Sequence, residues 1–365
     1  MLRCMPSDSA GPLVERGGLI VYRLYDVADA IDVAAAARLL GPAHGRAGPR
    51  SAAFEAKPSV RVELGDAPDA WPGRACQVSA RLFDFGAITI ALRTELAGHS
   101  WADLLALSET AQEAGFLDEW LRRKLDSVVA RAGGALKGPH PVAMTEDYTL
   151  FFLERLAGAP PASALLARGD LANLLLGEPA SVRVSDNERA EVLAHTISYE
   201  VDDLAVIDWN AALVYEPSGI AEAPDLIELA TAQLLELRYY DTLLDRELGR
   251  IYEEAASRRP RTLRSYSSLR ASVIRTLLEL TEFTERVENA LKVTGDSYLA
   301  RLYLKALESF RVPAWHASVQ RKIGLVEQVY EILKGETDVA RSLVLEILVA
   351  VLIVVELVVA LRGGR

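Results

Sequence analysis

The residues of this chain that could do chemistry are few and scattered. Asp202, Asp203 and Asp208 are the nearest thing to a cation-binding cluster. Asp is also a preferred turn residue, and a turn between two strands accounts for Asp202 and Asp203 without a ligand. The five histidines, His44, His99, His140, His195 and His316, show no H-E-x-x-H or comparable metal spacing. His195 falls in a stretch of mixed polarity, where a half-buried strand residue is expected rather than a base. No P-loop, G-x-G-x-x-G or G-x-S-x-G occurs. No catalytic residue, cofactor or metal ligand is predicted.

The two acidic residues with the most unusual setting are Glu346 and Glu356. They are the polar members of Leu343–Leu361, LVLEILVAVLIVVELVVAL, a nineteen-residue run without Gly or Pro. As a helix it would be about 28 Å long, close to the thickness of a bilayer's hydrocarbon core. It is apolar on all sides rather than striped, as expected of a transmembrane helix. Glu346 lies near one end and can reach the interface. Glu356 lies deeper, on the side that carries Ala350 and Ala360. Small residues beside a polar one are what helices pack through in lipid, so Glu346, Glu356, Ala350 and Ala360 are predicted to form an oligomer contact inside the membrane. With four residues after it, the segment is expected to act as a C-terminal anchor.

The elements in front of it bound what the body can be. At 365 residues the chain has material for two or three domains. Cys4 and Cys76 form no C-x-x-C and suggest a reducing compartment. The first residues lack the apolar core of a signal peptide, so the bulk of the chain is expected on the cytoplasmic side of an inner membrane. The formal net charge is −11, and residues 1–221 carry 20 basic against 30 acidic side chains. That is the reverse of a duplex-binding surface, so direct nucleic-acid binding is not expected.

Residues 1–16 read as a disordered leader. A first α+β lobe is predicted over 17–138, with strands at Leu19–Tyr25, Ser59–Leu64, Ala75–Leu82 and Ala87–Thr94. It has a helix at Val27–Leu40, and Ser100 with Asp103 caps a long helix reaching Arg131. A second lobe is predicted over 139–221, with a strand at Tyr148–Arg155, a helix at Ala162–Leu176, and strands at Ala190–Glu200 and Leu204–Tyr215. Ser181–Val184 repeats the SVRV of Ser59–Val62. Set in a common β-α-β-β-β-α order, the repeat suggests an internal duplication. Over 222–336, apolar residues recur every three or four positions, which predicts an antiparallel coiled-coil stalk divided by Pro313. Residues 337–365 then form the anchor. The fold class expected is α+β, two lobes followed by a helical stalk and a transmembrane helix.

Several short motifs resemble a known family. Asp296-Ser297-Tyr298, Arg311-Val312-Pro313 and Gln320-Arg321-Lys322-Ile323 are followed by Arg341, Glu346 and Glu356. This order is similar to the end of the domain-of-unknown-function 155, or required-for-meiotic-nuclear-division, proteins, most clearly over residues 296–361. Phe83-Asp84-Phe85-Gly86-Ala87-Ile88 is similar to an aromatic-Gly-apolar strand motif of that family. The resemblance implies an inner-membrane role in support of translation and supplies no catalytic residue. The function expected is therefore a membrane-tethered scaffold or interaction protein that self-associates. The alternative is an enzyme with a small-molecule site in the cleft between two duplicated lobes.

Overall fold

The computed structural model describes residues 11–41, 59–256 other than Ala114 and Ala143, and 297–328, together with Leu278 and Glu346. The chain divides into two compact units, one within residues 1–239 and 285–315, the other within 240–284 and 316–365.

The first unit is built on one mixed sheet of eight strands. In chain order they are β1 (Val14–Asp26), β3 (Ser59–Asp66), β4 (Cys76–Phe83), β5 (Ala87–Glu95), β7 (Thr145–Leu156), β8 (Thr196–Ile197), β9 (Leu204–Ile207) and β10 (Ala211–Tyr215). Their order across the sheet is β3-β4-β5-β1-β7-β10-β9-β8. All pairs are antiparallel except β10 with β7. β2 (Ala28–Ile31) and β6 (Leu136–Pro139) form a separate small ribbon.

The side-chain alternation of each strand sends residues to two faces, and both are covered. From β1, Leu19, Val21 and Tyr25 enter the main core, where they join Trp101 and Leu104 of α2 (Trp101–Glu113), Leu121 and Leu125 of α3 (Gly115–Ala132), and Leu171 and Leu174 of α5 (Leu171–Leu176). α1 (Val33–Leu40), α4 (Ala162–Leu166) and α6 (Asp186–Val192) complete the helices between strands. Tyr22 leads the opposite face, where its hydroxyl donates to the Pro224 carbonyl at the start of α7 (Ala223–Ala256). Phe310, just past α8 (Ser297–Ser309), packs edge-on against Tyr148 on the same face.

Local chemistry explains the element ends. Asp32 caps α1 by accepting from Ala35 N–H at 2.9 Å. Ser100 and Asp103 close the predicted capping box at α2, with Ser100 N–H donating to Asp103 Oδ2 at 2.7 Å. Gly177 ends α5 in the left-handed region. A turn at Phe310–Arg311 then separates α8 from the next helix, α9, over residues 312–328, so Pro313 falls in a first turn where proline is tolerated.

Several expectations are corrected. The two predicted lobes are not separate: strands from 17–138 and 139–221 hydrogen-bond side by side in one sheet. The duplication fails on the residues that suggested it. Ser59–Val62 lies in β3, whereas residues 181–184 form the loop before α6. Strand direction also disagrees, because β5 runs antiparallel to β1 while β10 runs parallel to β7. Residues 190–200, read as a strand, are mainly the end of α6 and a bend, with only Thr196–Ile197 extended.

The stalk is corrected in its first half. Leu226, Ile227, Leu229, Ala230, Leu234, Leu235 and Leu237 of α7 are all buried, on every side of the helix, so this part belongs to the core of the first unit. A helix apolar all round is a core helix, and a coiled-coil seam would leave half of it wet. In the second unit α7 and α9 each carry buried apolar residues, and an ion-pair cluster joins them. Leu244, Leu248, Val319, Ile323 and Val326 are buried, and Lys322 Nζ lies 2.8 Å from Asp241 and 2.7 Å from Asp245. Among the described residues no helix is long and apolar enough to cross a membrane; the apolar run 343–361 lies outside them, apart from Glu346.

Gly86 ties the small ribbon to the sheet. Its φ of +101° favours glycine, and a Cβ there would lie 1.7 Å from the Ala28 carbonyl oxygen. Gly86→Ala should therefore lower stability by about 3 kcal/mol or more, read as a fall in Tm of the purified chain. A Tm within a degree of the parent would show that this approach can relax.

Candidate functional site

The sheet face beneath α7 holds the densest collection of buried ionisable groups. It begins with two arginines directly opposite each other, Arg61 on β3 and Arg81 on β4. Like charges so placed repel unless an acid intervenes. α7 supplies two, one turn apart. Arg61 Nη2 lies 2.7 Å from Asp225 Oδ1 and 2.5 Å from Glu228 Oε2, and Arg81 Nη1 lies 3.1 Å from the same Glu228 oxygen. Burial pulls against charge on Arg61, but Glu228 and Asp225 outweigh it and hold its pKa above the ordinary value. Glu228 Oε1 has no hydrogen-bond partner among the described residues.

Further along, Glu146 on β7 pairs with Arg238 of α7, whose guanidinium lies 5.8 Å from the centre of the Trp315 ring. Burial pushes the Glu146 carboxyl up to about 7, against the pull of Arg238. Asp26, at the end of β1, is 1% exposed. Its Oδ1 is 3.6 Å from His140 Nε2, beyond hydrogen-bond range, and its Oδ2 has no partner among the described residues. The His140 ring stacks on Tyr239 at 5.5 Å. Burial, the largest influence, raises the Asp26 pKa to about 6 while His140 lowers it.

Two cavities open elsewhere in this unit. One, of about 370 Å³, is lined by Trp71, Arg74, His99 and Asp103. His99 Nδ1 is 3.1 Å from the Leu96 carbonyl and donates to it, which leaves Nε2 to accept from Arg74 at 3.2 Å. The other, of about 290 Å³, lies between the loop after β10 and the start of α8, lined by Tyr199, Glu200, Asp203, Glu216, Ser218 and Tyr298. Burial raises the pKa of Glu216 above the ordinary carboxylate range, against the bonds from Ser218.

The residues singled out by sequence fall out as follows. Asp203 is a loop hub, its Oδ1 accepting from Ser198 Oγ, Tyr199 N–H and Glu200 N–H at 3.0, 2.7 and 2.9 Å. Asp202 is exposed, and the Asp208 carbonyl accepts from the Tyr148 hydroxyl at 2.9 Å. These aspartates do not converge, and among the described residues no group of three His, Cys, Asp or Glu side chains could hold a metal. His195 sits in a bend, with Nδ1 3.8 Å from Glu308 Oε2. Glu346 is helical and exposed; Ala350, Glu356 and Ala360 lie outside the described residues. The cleft between duplicated lobes does not exist, because one sheet runs through both segments.

Sequence reasoning missed the α7 seam. Its signal was present: Arg81 at an inward position of a strand, and Asp225 with Glu228 three residues apart in a helix otherwise rich in Leu and Ala.

Residues 16–222 match a family model described as "Uncharacterized protein MJ0711, N-terminal domain". A curated relative, "Uncharacterized protein MJ0711" of Methanocaldococcus jannaschii, is 26% identical over 172 residues. The aligned region is 47% of this chain and 53% of the relative, so the chain spans about half the relative's length. No solved structure matches. These matches overturn the resemblance to the meiotic-nuclear-division family, whose motifs lay mostly in 296–361, outside the matched region.

Asp26 gives a test of the seam. Its folded-state pKa is raised, so the folded chain binds more protons than the unfolded chain between about pH 4 and 6. Stability should therefore fall as pH rises through that window. Asp26→Asn removes the titration. The variant should match the parent near pH 4 and exceed it by about 1–3 kcal/mol at pH 7.5, read from urea midpoints. The opposite sign would mean that Asp26 is stabilised as an ion by His140.

Proposed function

We propose that this chain, which belongs to the family of the uncharacterized protein MJ0711 N-terminal domain, is a membrane-tethered interaction protein. The α+β unit is the platform that meets a partner, and the apolar run 343–361 is the tether. The observation that carries this reading is how the buried charges under α7 are used. Arg61, Arg81, Asp225 and Glu228 close on one another and seat a helix on a sheet. They line neither cavity. Buried ionic groups of this kind fix one arrangement of packed elements rather than hold a substrate.

The tether reading rests on composition: nineteen residues with two acids, no Gly and no Pro. The acidic balance of residues 1–221 and the buried free thiol of Cys76 support a platform on the cytoplasmic side. Self-association through Glu346, Ala350, Glu356 and Ala360 follows from the same run, since polar groups in lipid seek partners across helices.

Two experiments test the reading. Deleting residues 343–361 should move the chain from the membrane fraction to the supernatant, whereas the parent resists high salt and carbonate. Release of the parent by either treatment ends the spanning claim. Within membranes, Glu356→Leu should reduce cross-linked oligomer several-fold while Glu356→Gln keeps most of it, since interhelical hydrogen bonds in bilayers are worth about 0.6–2 kcal/mol. An unchanged oligomer in Glu356→Leu removes that residue from the contact.

A further inference from the structure

We propose that the cavity beside Glu216 is a binding site for an organic cation, an alkylammonium group. The cavity has a volume of about 290 Å³, and three of its lining residues, Glu200, Asp203 and Glu216, are acidic. Glu216 is 1% exposed and Asp203 4%. Such burial is costly for a carboxylate unless a cation or a full set of hydrogen bonds offsets it. Among the described residues no Lys, Arg or His lies within ion-pair distance of Glu200, Asp203 or Glu216, in contrast to Glu228 and Glu146 on the α7 seam.

Nor are the hydrogen bonds complete. Glu216 Oε1 accepts from Ser218 N–H at 3.1 Å and from the Ser218 hydroxyl. Oε2 has no hydrogen-bond partner among the described residues, and Glu216 is one of the residues that line the cavity. Asp203 repeats the pattern, with three donors on Oδ1 and none on Oδ2. Two buried carboxylates thus each hold one oxygen fixed and leave the other without a donor among the described residues.

The aromatic walls decide what kind of cation fits. The Tyr199 and Tyr298 rings stand 6.0 Å apart at 47°. Ring faces attract ammonium and guanidinium groups and offer a bare metal ion nothing. A hard divalent ion would need six or more converging oxygens, whereas the described residues bring no three metal-ligating side chains together. The rim already attracts one organic cation: the Arg301 guanidinium lies 5.6 Å from the centre of the Tyr199 ring. Its Nε donates to the Ser297 carbonyl at 3.3 Å within α8, and Arg301 is not one of the residues that line the cavity. Tyr199 is 62% exposed, which leaves a route in for an alkyl chain with a charged end.

The chemistry is shared by a free diamine and by a lysine side chain on a partner protein. The proposal does not rest on membrane tethering. The test uses the full chain in detergent micelles, titrated calorimetrically with 1,5-diaminopentane, with its neutral analogue 1,5-pentanediol, and with a short neutral-flanked peptide carrying one lysine or one acetyl-lysine. The amine should bind saturably and the diol should not. Glu216→Gln, which keeps the shape and the Ser218 contact, should weaken the amine at least tenfold. Tyr199→Leu, at an exposed position, should weaken it several-fold, and Arg301→Gln should leave it equal or tighter. A lysine peptide that binds tighter than the free amine, and loses binding on acetylation, assigns the site to a partner's side chain; the reverse order assigns it to a free amine. Absence of saturable binding by both amine and lysine peptide overturns the proposal. So does an affinity unchanged in Glu216→Gln or Tyr199→Leu variants that melt like the parent, because an acidic surface alone would then account for the binding.

Discussion

The hydrogen-bond ladder between β1 and β7 is the constraint on which the rest of the first unit depends. It pairs Val14–Tyr25 with Thr145–Leu156, joining segments more than a hundred residues apart in sequence. Each strand then carries one wing of the sheet, β5-β4-β3 on β1 and β10-β9-β8 on β7. β1 is buried from Gly17 through Asp26, so slipping the register by one residue would exchange its two faces and drive Arg23 toward α7 in place of Tyr22. Arg23 instead reaches Asp118 on α3, at 2.6 Å, while Tyr22 meets Pro224 on α7. One register thus places both layers of helices.

On the α7 face that register also sets the charges. Arg61 and Arg81 become neighbours only because β3 pairs with β4 as it does, and Asp225 and Glu228 are one helical turn apart, able to reach both. Breaking such a buried pair strands a charge, at a cost of about 3–5 kcal/mol, whereas replacing the whole cluster by apolar groups is often neutral. The cluster therefore contributes choice of arrangement more than depth of stability. Glu228 Oε1 is buried without a hydrogen-bond partner among the described residues, so the cluster is not fully satisfied there.

The sequence was legible where a pattern was local. Alternation located the cores of β1, β3, β4, β5 and β7, and Ser100 with Asp103 marked the start of α2. It was not legible where a pattern had more than one physical cause. SVRV is a strand when flanked by partners and a loop when followed by Ser185, whose hydroxyl accepts from Glu188 N–H and starts α6. The 3–4 spacing of Leu and Ala in α7 fits a coiled coil, and only the apolar residues between those positions indicate a helix buried all round. The motifs that suggested the wrong family have the same weakness. Ser297-Tyr298 opens a helix and Arg311-Val312-Pro313 divides two helices, with Arg311 in the left-handed region that ends α8. Such residues mark helix boundaries in unrelated chains. No local signal linked Glu216 to Tyr298, because β10 and α8 are brought together only by the fold.

The buried carboxylates then separate into two groups by the company they keep. Glu146 and Glu228 face guanidinium groups on the neighbouring element, and their burial is explained by the packing of a helix on a sheet. Glu216 and Asp203 face hydroxyl and backbone donors on one oxygen and a cavity on the other. Packing alone accounts for the first group, since removing Glu228 would leave Arg61 and Arg81 facing each other and removing Glu146 would leave Arg238 without that carboxylate. It does not account for the second, since nothing nearby would be left unpaired if those side chains were apolar apart from Ser218 and a short loop. A buried carboxylate that answers no cation among the described residues is the one for which an outside partner accounts best.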